Sequence, residues 1–274
     1  MAADIPHVNS FLSIPGVLNF RDIGGYSIAS LQGKIVRRGI VFRSAEPSKA
    51  TDAAVSRIQQ LNIKRVYDLR SPHESTNPRH NFSVREWKGV ERVFAPVFLE
   101  DDYTPGAVAS RNRNFGSGPE GSARAYLDIL ASASSRSNET RPFAQILAHL
   151  SSDDAPTPLL IHCSAGKDRT GIICALILSL CGVTDEDVAV EYNLTDIGLS
   201  PLHETIIANL LQDEAFRNNP DGAKRMVLAE KETMLCTLRM IRSLYGSVAK
   251  CVTSLGLLST EGINLLRRNL IVDS

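Results

Sequence analysis

The segment His162-Cys163-Ser164-Ala165-Gly166-Lys167-Asp168-Arg169-Thr170-Gly171 holds the residues whose types and spacing point to chemistry. A short loop entering a helix directs successive backbone N–H groups inward, and the helix dipole adds partial positive charge. Residues Ser164, Ala165, Gly166, Lys167, Asp168 and Arg169 can therefore cradle a phosphate dianion. Gly166 allows the tight turn. Cys163, at the base of the turn, sits where those N–H groups favour a thiolate nucleophile. Arg169, six residues later, can set its planar guanidinium across two phosphate oxygens and follow the charge into the transition state. Thr170 is placed to donate its hydroxyl to the sulfur, and His162 to order the loop through ring hydrogen bonds. The chemistry these types suggest is hydrolysis of a phosphate monoester through a phosphocysteine.

Such a loop needs a strand before it and a helix after it. The apolar run Leu159 to Cys163 supplies the strand, and Thr170 to Leu180 the helix, with Gly182 as its C-cap. Upstream, Gly39 to Phe42 reads as a strand. Thr51 then caps a helix with Val55, Ile58 and Leu61 on one face, and Ile63 to Leu69 is extended again. That order is a βαβ unit and implies parallel strands. Val90 to Phe98 is a further strand. Thr184 with Asp187 forms a capping box, and the spacing of Leu202, Ile206, Leu210, then Met234, Leu238, Ile241, then Ile263, Leu266, Leu270 makes the C-terminal half helical. The stretches 104–122 and 132–140 are rich in Gly, Ser, Asn and Pro without apolar periodicity and read as flexible surface insertions.

The chain of 274 residues, 43% hydrophobic and 22% charged, is expected to form a single domain over 1–274. Thirty basic residues balance thirty acidic ones, so no net charge draws it to nucleic acid or to an anionic membrane; anion recognition must be local. The N-terminus MAADIPHVNS has no signal-like apolar run, and the longest apolar stretch, Ile172 to Leu180, is too short to cross a bilayer, so a cytoplasmic location is expected. Five cysteines without a CxxC pair indicate neither a disulfide framework nor a zinc site.

The loop resembles that of the Cys-x5-Arg protein tyrosine phosphatase superfamily, and the Lys167-Asp168 pair resembles its microbial tyrosine/serine and lipid phosphatase branch, whose loop reads HCxAGKDRTG. Further similarity lies in Asn19-Phe20-Arg21-Asp22-Ile23-Gly24-Gly25, Phe42-Arg43-Ser44, Asp68-Leu69-Arg70-Ser71 with Glu74, and Glu191-Tyr192-Asn193-Leu194-Thr195-Asp196. The resemblance implies an α/β fold with a mainly parallel four- or five-stranded sheet flanked by helices, and an active site at the C-terminal edge of the strand ending at His162. It implies no metal and no organic cofactor. The substrates implied are phosphotyrosine, phosphoserine or phosphothreonine in proteins, and phosphoinositides, with phosphate as product.

The Trp-Pro-Asp element of many tyrosine phosphatases is absent, since Trp87 is followed by Lys88-Gly89. The general acid is then Asp168, inside the cradle as in the resembling branch, or Asp68, at the end of an adjoining strand. Asp68 has a second reading, as an ion-pair partner orienting Arg70 or Arg169. Lys167 reads as an extra cation at the rim, favouring substrates with more than one phosphate. Residues 19–25 read as a tight turn in which Asp22 pairs with an arginine. Three other readings compete: a non-catalytic phosphate-binding module, a sulfurtransferase, and a metabolic phosphatase acting on a small phosphorylated intermediate.

Overall fold

The computed structural model describes residues 10–76, 87–212 and 216–274. Most of the N-terminal stretch read above for a signal therefore lies outside the described residues. Strands β1 (Arg21–Asp22), β3 (Val41–Ser44), β4 (Arg65–Asp68), β5 (Glu91–Phe94) and β6 (Leu159–His162) form a five-stranded sheet in the order β1-β3-β6-β4-β5. β3, β6, β4 and β5 run parallel and only β1 is antiparallel, so the expected mainly parallel sheet is found. In the shared register Ser44, Asp68 and Phe94 end their strands level with His162. This brings the C-terminal ends of four strands to one edge, where the loop 163–167 leaves β6.

Why these residues form the sheet follows from burial on both faces. Leu159, Leu160 and Ile161 are fully buried, as parallel strands covered by helices require. Helix α1 (Asp52–Gln60), capped by the Thr51 hydroxyl accepting from the Ala54 N–H, covers one face through Ala54 and Ile58, which pack with Phe42, Val66 and Leu160. The other face carries the larger core. There helix α4 (Pro119–Ser134), α5 (Pro142–Leu150) and α6 (Asp168–Cys181) pack against Leu159 and Ile161, with α7 (Asp185–Leu199) and α10 (Lys231–Tyr245) outside them. α6 is buried nearly all round and stops at Gly182, whose φ of +92° few other residues adopt.

The stretches read as flexible insertions prove mostly helical. Helix α3 (Pro105–Gly116), capped by Thr104, is followed directly by α4. The turn after α4 is pinned by the buried Asn138, whose amide donates to the carbonyls of Pro96 and Val97 at 2.9 and 3.3 Å. Its polarity hid α3: one face looks into a cavity and carries Arg111 and Asn112 among apolar residues, so no clean apolar stripe exists. The C-terminal half is helical as expected. One element was not foreseen there, a two-stranded antiparallel pair of β2 (Lys34–Val36) with β7 (Ile271–Asp273), which ties the chain end back to its beginning. Among the described residues, no helix is long and apolar enough to cross a membrane.

Because Ile161 is completely buried in the central strand, Ile161→Ala should lower stability by about 2–5 kcal/mol, measured as a shift in urea unfolding with unchanged slope.

Candidate active site

The loop between β6 and α6 is shaped by what holds its carbonyls. The Ser164 carbonyl accepts from the Glu46 N–H at 3.1 Å. The Asn19 amide donates to the carbonyls of Ala165 and Gly166 at 3.1 and 3.2 Å. Arg43 donates to Gly166 at 2.6 Å and to Lys167 at 3.4 Å. With four successive carbonyls held on the outside, the N–H groups of 164–167 have no acceptor among the described residues and are left for the interior of the turn. Gly166 has φ of +65°, and a Cβ there would collide with the Ser44 carbonyl. Cys163 lies at the base, 2% exposed.

Arg43 is itself held by a buried charge cluster. The Glu191 carboxylate accepts from Arg43 at 2.6 Å and from Arg21 at 2.8 Å, and all three side chains are almost wholly buried. Arg21 also donates to Thr195 at 3.0 Å and to the Asn19 side chain. Burial and the like charge of Arg43 push Arg21 down to about 10; burial opposes ionisation of Glu191, but the two arginines outweigh it and lower its pKa. The segment 19–25 thus supports the loop directly through Asn19 and Arg21. Among the described residues Asp22 forms no ion pair with an arginine: it accepts from the N–H groups of Gly24 and Gly39 at 2.8 and 2.6 Å.

Arg169 is oriented by Glu74. Its two terminal nitrogens donate to the Glu74 carboxylate at 2.5 and 2.7 Å, and one of them to the Leu69 carbonyl at 3.3 Å. Glu74 lies on the short helix α2 (Pro72–Thr76) and also accepts from the Ser71 N–H at 2.9 Å, the Ser164 hydroxyl at 2.6 Å and the Tyr103 hydroxyl at 2.8 Å. Burial opposes its charge, but Arg169 and these donors hold it well below the usual carboxylate range. The end-on fork of the guanidinium is engaged by Glu74, and Nε has no partner among the described residues, so one edge remains for an oxyanion.

Asp168 and Arg169 open into a cavity of about 710 Å3, walled by Phe98, Tyr103, Phe115, Ile129 and Met226. The Tyr126 hydroxyl donates to Asp168 at 2.8 Å and stands 2.5 Å from the Tyr192 hydroxyl. Burial raises both phenols well above their ordinary value, so they stay protonated, and Tyr192 donates to Tyr126 in turn.

Asp68 is not brought to this cavity. It is fully buried, bidentate to Arg70 at 2.8 and 2.9 Å, and paired with Arg92; those arginines and His162 line a different cavity of about 540 Å3. Burial opposes its ionisation, while His162, Arg70 and Arg92 hold it well below the carboxylate range. Since burial pushes the His162 ring down to about 4, it is neutral at pH 7 and the arginines carry the effect there. Asp68 thus lies apart from the cavity of Arg169 and has the ion pair with Arg70 that its second reading requires. The His162 Nδ1–H donates to the Cys163 carbonyl at 3.3 Å, at the start of the loop. The Thr170 hydroxyl is buried with no partner among the described residues. Lys167 is no rim cation: only 5% exposed, its Nζ donates to the carbonyls of Met226 and Leu228 at the end of α9 (Pro220–Val227) and lies 3.5 Å from Asp168.

Sequence reasoning assigned no site role to Asn19, Arg21, Arg43, Glu74, Tyr126 or Glu191. One signal was available: Arg43 and Glu191 are charges set among apolar residues that the fold had to bury.

A profile described as the tyrosine phosphatase family matches residues 12–272. A protein of Cupriavidus necator named as a tyrosine-protein phosphatase is 31% identical over 200 residues, 73% of this chain and 68% of that one. The triple specificity protein phosphatase PtpB of Mycobacterium tuberculosis is 31% identical over 211 residues, 73% of this chain and 74% of its own length. A tyrosine-protein phosphatase of Nostoc commune is 24% identical over 161 residues, 56% of this chain and 47% of its own.

Two measurements check the electrostatics. Glu191→Gln leaves two buried arginines sharing a neutral partner and should cost about 3–5 kcal/mol of stability in urea unfolding. The His162 ring has a folded pKa of about 4 against an ordinary 6.5, so the unfolded chain takes up its proton first on acidification. Stability from this ring is complete above pH 6.5 and is lost as pH falls toward 4, by at most about 1.4 kcal/mol per pH unit. Urea midpoints at pH 7 and pH 5 should show the drop, and His162→Asn should flatten it.

Proposed function

The chain belongs to the tyrosine phosphatase family, and from that premise we propose that Cys163, Arg169 and Asp168 carry its hydrolysis of phosphate monoesters, with residues 1–274 acting as one phosphatase domain. The observation that carries the reading is the loop whose carbonyls are all held outward, with Cys163 at its base and Arg169 locked on Glu74 beside it. The inward N–H groups of 164–169 and the free edge of Arg169 bind the phosphoryl oxygens. The Cys163 thiolate attacks phosphorus, a sulfur–phosphorus bond forms, and the bond to the leaving oxygen breaks.

The leaving oxygen takes its proton from Asp168, which the Tyr192–Tyr126 relay holds in place through one carboxyl oxygen, leaving the other toward the cavity. In the second step the Asp168 carboxylate takes a proton from water, the hydroxyl adds to phosphorus, and the thiolate departs. Glu74 positions Arg169, and Lys167 positions Asp168 and the end of α9. A cavity with aromatic walls favours an aryl phosphate, so phosphotyrosine is the substrate proposed first. The phosphoinositide reading drew on Lys167 as a rim cation and loses that support with Nζ bonded to two carbonyls. Hydrolysis of phosphoserine and phosphothreonine is proposed on the resemblance of the loop 162–171 to the tyrosine/serine phosphatase branch; the PtpB relative's name speaks only of a triple specificity. A cytoplasmic location is proposed on the apolar-run argument alone.

Cys163→Ser should abolish turnover of p-nitrophenyl phosphate while vanadate binding persists; turnover within tenfold of wild type, a barrier change of only about 1.4 kcal/mol, would sink the mechanism. Asp168→Asn should slow alkyl phosphates, whose leaving oxygen needs a proton, far more than p-nitrophenyl phosphate, whose leaving group scarcely does. Equal losses in kcat on both substrates would make Asp168 a scaffold residue.

A further inference from the structure

The cavity above Arg169 has one wall made by a single face of α3. Val108, Arg111, Asn112 and Phe115 line it at helical spacing. The guanidinium carbon of Arg111 lies 4.4 Å from the centre of the Phe98 ring and 5.3 Å from that of Tyr103, so it is stacked on two walls of the cavity. No hydrogen bond or ion pair joins it to any described residue; Asp128, exposed on α4, feels its charge but stands beyond ion-pair distance. Arg169, in contrast, is bidentate to Glu74, and Lys167 is bonded to two carbonyls. Arg111 is therefore a cation of the catalytic cavity, among the described residues, whose donors are unused.

Its distance from the reacting centre is bounded by a shared neighbour. The Arg169 guanidinium carbon lies 5.9 Å from the same Phe98 ring centre, so the two guanidinium carbons are no further apart than about 10.3 Å. A substrate with its phosphate on Arg169 and an aryl ring between the aromatic walls would bring whatever is attached to that ring to Arg111. Stacking on two rings limits the rotamers open to the side chain, and so lowers the entropy lost when its fork meets a carboxylate.

We propose that Arg111 is a specificity-determining residue that selects phosphotyrosine segments bearing a carboxylate on a residue next to the phosphotyrosine. This rests on the phosphatase reading above. Walls of Phe98, Tyr103, Phe115, Ile129 and Met226 suit a flat apolar ring between the two cations better than a polyhydroxylated one, which favours an acidic peptide over an inositol phosphate.

The test compares two phosphotyrosine peptides differing only by Glu or Gln beside the phosphotyrosine, together with p-nitrophenyl phosphate and a soluble inositol bisphosphate. In wild type the Glu peptide should exceed the Gln peptide about fivefold in kcat/KM at low salt, and raising salt should shrink the ratio. Arg111→Gln should bring the ratio to about one while p-nitrophenyl phosphate falls by a smaller factor than the Glu peptide; Arg111→Lys should keep part of the preference. A wild-type ratio near one, or a ratio unchanged in Arg111→Gln, overturns the proposal. So does an inositol bisphosphate whose kcat/KM falls most in Arg111→Gln. The wild-type ratio and its salt dependence need no variant, so they decide even if Arg111→Gln folds poorly. No turnover of p-nitrophenyl phosphate by wild type would instead overturn the phosphatase reading itself.

Discussion

The outward hold on the carbonyls of 164–167 is the constraint on which the site depends. A loop of this length offers N–H groups to an anion only if its carbonyls find partners on the other side. Here those partners are Asn19, Arg43 and the Glu46 N–H, drawn from two segments that lie far from the loop in sequence. Arg43 can serve from a wholly buried position only because Glu191 neutralises it, and Glu191 in turn needs Arg21 to complete its hydrogen bonds. Burying two guanidinium groups and one carboxylate is costly, and removing one partner costs more than the intact cluster contributes. The cluster leaves an excess positive charge directly behind a loop built to receive a dianion, so its net sign suits the occupant of the cradle.

The second coupling runs through Glu74. Its carboxylate receives Arg169, Ser71, Ser164 and Tyr103 together, which joins the loop after β4, the cradle and the segment preceding α3 at one point. That convergence fixes the guanidinium edge presented to the cavity and also sets the position of the aromatic wall beside it. Lys167 extends the same logic to the far side. By capping the C-terminal end of α9 with its ammonium, it ties the cavity's Met226 wall to the cradle, and a cation is well suited to those carbonyls.

Separation of the two aspartates follows from strand alternation. Asp68 shares its face of the sheet with Val66 and Leu160, toward α1, whereas Asp168 begins α6 on the side of the larger core. The first is surrounded by Arg70 and Arg92 and stays ionised; the second meets a neutral phenol relay and open cavity. Their chemistry differs although both are adjacent to the same strand.

What the sequence by itself determined is what rests on neighbours in the chain. Cys163 to Arg169 lies in a single loop, the flanking strand and helix announce themselves by apolar runs, and Thr51, Thr184 and Gly182 mark helix ends through contacts within one turn. From these the parallel sheet and the place of the cradle at its edge were legible. Only the tertiary structure decided which charges meet. Glu74 reaches Arg169 across 95 positions, Glu191 reaches Arg43 across 148, and Lys167 finds the end of α9 across 59. No periodicity encodes such pairings, because a charged side chain's partner is fixed by the packing of whole elements. Helix α3 was unreadable for a related reason: its inward face borders an open cavity and carries Arg111 and Asn112 beside Val108 and Phe115, so the burial that normally writes a helix into sequence is missing there.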